Sequence, residues 1–135
     1  LNSVAGGNTL TIGSGHDHQI LNSIFYSTVA GGPNGVGDRA ISMGPLATGN
    51  VTISGNYITG NQTGLFDTAS WNRGLWTDGG GVTVTVANNT FQYTRTAINA
   101  DAALPSLIAL TGNTIKSSGS GVSLGVNYAN VTITG

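Results

Sequence analysis

Residues 50–60 read NVTISGNYITG, and residues 130–135 read NVTITG. A string that returns within one short chain marks a repeat, and a repeat restricts the fold to units that stack. Four segments share its pattern: an apolar residue, a small polar residue three positions on, and an apolar residue five positions on. They are ILNSIF (Ile20, Ser23, Phe25), ISGNYI (Ile53, Asn56, Ile58), VANNTF (Val86, Asn89, Phe91) and LTGNTI (Leu110, Asn113, Ile115). A fifth begins at Ile133. The anchors Ile20, Ile53, Val86, Leu110 and Ile133 lie 33, 33, 24 and 23 residues apart. A second apolar signal, RAISM (39–43), RGLWT (73–77), TAINA (96–100) and SGVSL (120–124), falls 11 or 12 residues before the next anchor each time. A half-repeat, TLTI (9–12), precedes them all.

Short runs with period-2 alternation between Gly and Asn turns are β-strands. A period of 23 or 24 residues is too short for a βαβ unit, which needs about 30. It suits one turn of a solenoid, with each strand parallel to its equivalent in the next coil at about 4.8 Å. Inward positions are then Val51, Ile53, Val84, Val86, Ile98, Ala100, Val122, Leu124, Val131 and Ile133. Asn56, Asn89 and Asn113 fall at a corner, where Asn tolerates the left-handed conformation and stacked amides form a ladder that Ser23 ends. A two-sheet sandwich does not explain the constant offsets from anchor to corner to second strand.

Composition narrows the classes. Only 7% of residues are charged, against roughly 25% in ordinary soluble domains. No apolar run approaches the roughly 20 residues of a membrane span. The net charge of −1 argues against nucleic acid as a partner. Without cysteine there are no disulfides, thiolate metal sites or cysteine nucleophiles. The chain starts at Leu1 with no visible signal peptide. It is expected to be one domain over residues 1–135, a fragment or repeating unit of a larger assembly.

The pattern V-T-I-x-x-N-x-I/F followed by G-I/V/L, from about Thr9 to Gly135, resembles the parallel β-helix repeat of the pectate-lyase-like superfamily. The resemblance implies an all-β fold: a right-handed parallel β-helix (solenoid) of about 4.5–5 coils, its ends not capped within the chain. It implies no single function, since the superfamily holds lyases, hydrolases, epimerases, tailspikes and adhesins. Its catalytic strings are missing. GHD (15–17) and TIK (114–116) are the nearest approaches to the GHG and RIK of polygalacturonases, and no two acids are adjacent. The acids Asp17, Asp38, Asp67, Asp78 and Asp101 are scattered over several coils. No catalytic residue is carried over, no cofactor is expected, and calcium is not indicated.

The first two full repeats carry insertions, 26–38 and 59–72, expected to project from one edge. Loops on a rigid scaffold often carry binding. Arg39 and Arg73 follow them and stack in adjacent coils, with Arg95 one step off. Such a strip needs counter-charges, for which Asp38 and Asp78 are candidates, or an anionic ligand such as a uronic acid or sulfated sugar. Trp76 points outward in a column with Ser42, Asn99 and Ser123, while Trp71 and Phe66 sit on the insertion. Arg39, Arg73, Arg95, Trp71 and Trp76 are thus the candidate glycan site; in the alternative, Trp71 covers Trp76. His16 and His18 share one strand face but lack a third ligand for a metal. Thr-x-Thr strings (9–11, 83–85, 132–134) raise ice binding, although the array is interrupted. Asn50, Asn61, Asn88 and Asn130 begin sequons, as expected by chance in so Asn/Thr-rich a chain.

The leading expectation is a non-enzymatic, extracellular β-helical module of a bacterial surface, adhesive, filament or matrix protein. Its partners are further coils of the same chain or of another subunit stacked end to end, and polysaccharide. A carbohydrate-active module is the competing expectation, and ice binding the third.

Overall fold

The structure, a computed structural model, describes residues 2–3, 8–27, 39–60, 71–77, 82–101, 106–125 and 128–135. These form strands β1 (Asn2–Ser3), β2 (Asn8–His16), β3 (Gln19–Leu21), β4 (Ile24–Ser27), β5 (Arg39–Ser54), β6 (Tyr57–Thr59), β7 (Trp71–Thr77), β8 (Val82–Ala87), β9 (Thr90–Gln92), β10 (Thr94–Ala100), β11 (Ser106–Thr111), β12 (Thr114–Lys116), β13 (Ser120–Leu124) and β14 (Tyr128–Thr134). Among the described residues there is no helix, and every strand pairing is parallel.

The strands stack on three faces. The first is β1-β4-β6-β9-β12. The second runs β2-β5-β7-β10-β13 and the third β3-β5-β8-β11-β14, the long β5 bending through both. The chain is therefore an all-β, parallel-stranded solenoid. Its register follows the repeat: Ile53 lies beside Val86, Val86 beside Leu110 and Leu110 beside Ile133. On the second face Ile41, Leu75, Ile98 and Val122 form the equivalent column.

One core fills the interior. Val51, Ile53, Val84, Val86, Ile98 and Ala100 are buried, as their inward alternation demands. The first face contributes Phe25, Ile58 and Phe91, all fully buried. Opposite this bulky column stands a small one, Ala40, Gly74 and Ala97. A Cβ on Gly74 would fall 2.7 Å from the Phe91 ring and 2.7 Å from the Ala97 carbonyl oxygen. Glycine is therefore required there for close packing, since its φ is not in the left-handed region.

Two expectations are corrected. Val122, Leu124 and Ile133 occupy inward columns, yet 37%, 38% and 60% of each is exposed. They belong to the last described coil, where no further strand stacks over them. With Ile98, Leu110 and Ile115, Val122 and Ile133 surround an open hollow of about 170 Å³. Val131 pairs with Ile108 through its backbone; its side chain lies outside the described residues.

The second correction concerns the corner. The left-handed residue is two positions after each anchor, not three: Asn22, Gly55, Asn88, Gly112 and Gly135 have φ of 48°, 68°, 55°, 60° and 83°. This kink turns the following residue inward, which frees Asn56, Asn89 and Asn113 to join coil to coil. Asn56 and Asn89 are buried. The backbone N–H and Nδ2 of Asn56 both donate to Asn89 Oδ1 at 2.9 Å. Asn89 does the same to Asn113 Oδ1 at 3.0 Å. Each Nδ2 also donates to an anchor carbonyl: Ile20, Ile53 and Val86 respectively. Ser23 N–H donates to Asn56 Oδ1, so serine starts the ladder without extending it.

Candidate functional site

The second face gathers the side chains that most suggest function. Its register sets Arg39 beside Arg73, and Arg73 beside Thr96. Arg95 is thus one residue out of the column, and it is exposed. Trp71 lies beside Thr94 through its backbone. The column Ser42–Trp76–Asn99–Ser123 is present as the alternation requires. Nothing is described of the Arg73 and Trp71 side chains. Phe66, Asp38, Asp67, Asp78, Asn61 and most of both insertions also lie outside the described residues.

What meets Trp76 is arginine. The Arg39 guanidinium carbon lies 3.7 Å from the centroid of the indole ring. Such a contact contributes on the order of 1 kcal/mol. It also sets the guanidinium over the face of the indole. On the edge of the indole, Trp76 Nε1 donates to Asp101 Oδ2 at 3.2 Å, and Asn99 Nδ2 donates to the same oxygen at 2.7 Å. Asp101 is fixed in turn through its backbone N–H, which donates to Thr77 O at 2.8 Å. Thr77 is fully buried, and its hydroxyl donates back to Asp101 O at 3.4 Å.

The result is a compact unit of one cation, one indole and one carboxylate. Sequence reasoning found Arg39 and Trp76 but missed Asp101 and the role of Asn99. The available signal was spacing: Asn99 pairs with Trp76, and Asp101 follows two residues later on the same side of the strand.

Catalysis by paired carboxylates does not fit the described residues. Their carboxylates are Asp17 and Asp101. These belong to coils three apart, on the order of 14 Å at about 4.8 Å per coil. Glycoside hydrolysis needs a separation of roughly 5–9.5 Å.

Asp17 has a structural partner instead. Its Oδ1 accepts the Asn50 backbone N–H at 2.9 Å and Asn50 Nδ2 at 3.3 Å. The backbone bond, more than any other influence, holds the Asp17 carboxyl below its ordinary range. The flanking histidines turn to separate partners. His16 Nδ1 lies 2.6 Å from Thr48 Oγ1, and His18 Nε2 donates to Ser14 O at 3.0 Å. Among the described residues no group of three or more His, Cys, Asp or Glu is placed to hold a metal ion.

The third face bears the threonine columns. They read Gln19–Thr52–Thr85–Ala109–Thr132 and Leu21–Ser54–Ala87–Thr111–Thr134. Leucine and alanine interrupt them, so the hydroxyl spacing is not regular. Among the described residues no helix is long and apolar enough to cross a membrane.

Comparison with known proteins adds no relative: no family model, no curated protein and no solved structure matches this chain.

Proposed function

We propose that the chain is a non-enzymatic β-helical module of an extracellular surface, adhesive, filament or matrix protein. Its backbone is that of a right-handed β-helix of the pectate-lyase-like kind. The handedness rests on the general preference of parallel crossovers, and the kinship rests on the repeat pattern together with the asparagine ladder. One observation carries the functional reading. Arg39, Trp76, Asn99 and Asp101 are already partnered with one another, and Asp101 has no second described carboxylate within catalytic reach. Such a unit stiffens a coil or meets a ligand, and among the described residues it holds no general acid–base pair. The exposed Val122, Leu124 and Ile133 fit a further coil stacked on that end.

A second reading is favoured by the same contact. A guanidinium held over an indole suits an anionic glycan, whose carboxylate or sulfate it can pair with in two parallel hydrogen bonds. The test incubates the chain with polygalacturonate, alginate and sulfated glycans. Release of reducing ends or unsaturated uronates would overturn the non-enzymatic reading, which expects none. A glycan-induced rise in melting temperature that disappears in Arg39→Ala would establish the second reading.

A further inference from the structure

The outer side of the first face holds a second group of side chains that the Arg39 unit does not use. Outward positions there form two columns. Ile24 lies beside Tyr57, then Thr90. Tyr26 lies beside Thr59, then Gln92 and Lys116. Ile24, Tyr26 and Tyr57 are 60%, 42% and 41% exposed. A solenoid of this composition exposes mostly Thr, Ser and Asn, so two half-exposed tyrosines on adjoining coils form a distinct patch.

Tyr57 does not stand away from the sheet. Its Cα sits opposite Thr90, yet its hydroxyl donates to Gln92 Oε1 at 2.8 Å. Gln92 is one strand over and two residues along, a diagonal of about 8 Å. A tyrosine standing straight out from the sheet does not reach that far, so the side chain leans toward Gln92. The hydroxyl is tied to the next coil while 41% of Tyr57 stays exposed. The same bond orients the Gln92 amide, whose Nε2 remains a donor beside the ring.

We propose that this face is a binding platform for a neutral polysaccharide. A flat, electron-rich ring face receives the C–H face of a pyranose, while adjacent amide and hydroxyl groups receive its hydroxyls. Tyr26, one coil away, extends the platform to a further sugar unit. The charge pattern selects the class. Among the described residues around the tyrosines the outer face carries no charged group, and Lys116 lies two coils beyond Tyr57 in the neighbouring column. An uncharged polymer matches that surface, whereas a polyanion would find its counter-charge elsewhere, at Arg39. The inference takes from the module reading only that the chain works outside the cell.

The test is affinity electrophoresis of the full 135-residue chain through gels containing neutral β-glucan, xylan or galactomannan, with polygalacturonate in parallel. Retardation by at least one neutral polymer is expected. Tyr57→Ala should weaken it about tenfold, and Tyr57→Phe, which keeps the ring but loses the bond to Gln92, should weaken it less. Thr85→Ala, on the third face, should leave it unchanged. Melting curves establish that each variant is folded. Three results would overturn the platform: no retardation by any neutral polymer, equal retardation of Tyr57→Ala, or retardation by polygalacturonate alone. A concentration-dependent dimer in sedimentation that Tyr57→Ala abolishes would do so too, by assigning the patch to contact between copies. Any of these failures leaves the non-enzymatic reading intact, because that reading fails only on turnover.

Discussion

Phe91→Ala is expected to destabilise the chain by about 3–5 kcal/mol, measured by urea denaturation. Phe91 is fully buried between Ile58 and Ile115 of adjacent coils, and its ring closes against the bare backbone of Gly74. Removing it opens a void that the facing column, built of small residues, is too short to fill. The reverse change tests the same fit. Gly74→Ala places a methyl group where the Phe91 ring and the Ala97 carbonyl already stand, and should cost about 1–3 kcal/mol. Because the two sites touch, Gly74→Ala combined with Phe91→Leu should cost less than the sum of the two single changes. Additive costs, or a loss below about 1 kcal/mol for Phe91→Ala, would contradict the facing of these columns.

Asn89→Val should cost about 3 kcal/mol in the same measurement. The substitution deprives the buried Asn56 of the oxygen that accepts both its backbone N–H and its Nδ2. It also removes the donor to the Ile53 carbonyl and one of the two donors to Asn113 Oδ1. An unmet buried polar group costs about 1–3 kcal/mol, and water does not reach this corner easily. Asn113→Val removes a similar set of bonds but should cost clearly less. Asn113 is only half-buried, so water replaces part of what is lost. Equal losses at the two positions would show that the ladder is not graded by burial.

The register was legible in the sequence because it needed only spacing. Ile53, Val86, Leu110 and Ile133 fell into line once the repeat was recognised, whatever the lengths of the insertions. The ladder was legible for the same reason, but the turn geometry was misplaced by one residue. Asn at the inward position suggested the left-handed residue, whereas the preceding column, Asn22, Gly55, Asn88, Gly112 and Gly135, contains nothing but Asn and Gly. That restriction was the better sign of positive φ. The burial of Val122, Leu124 and Ile133 was overestimated because alternation reports which way a side chain points, not whether a neighbour covers it.

The candidate site was half legible. Register alone put Arg39 and Arg73 side by side and Trp76 outward. The stacking of Arg39 on Trp76 was not legible, because it depends on the rotamer of a long side chain that reaches diagonally to the next coil. Asp101 was missed because the acids were read as scattered along the sequence, without following Asp101 back to the Trp76 column through Asn99.

The central claim is that residues one repeat apart lie side by side in parallel register. Because the chain has no cysteine, introduced pairs report on this directly. Thr52 and Thr85 are register partners on the third face, 33 residues apart in the chain. Their Cα separation of about 4.8 Å lies within disulfide range. In the folded Thr52→Cys/Thr85→Cys chain, mild oxidation should remove both free thiols within one molecule. In Thr52→Cys/Thr83→Cys, two residues out of register and about 8 Å apart, both thiols should persist. Closure of the second pair, or failure of the first in a chain that still melts cooperatively, would contradict the stacked-coil fold.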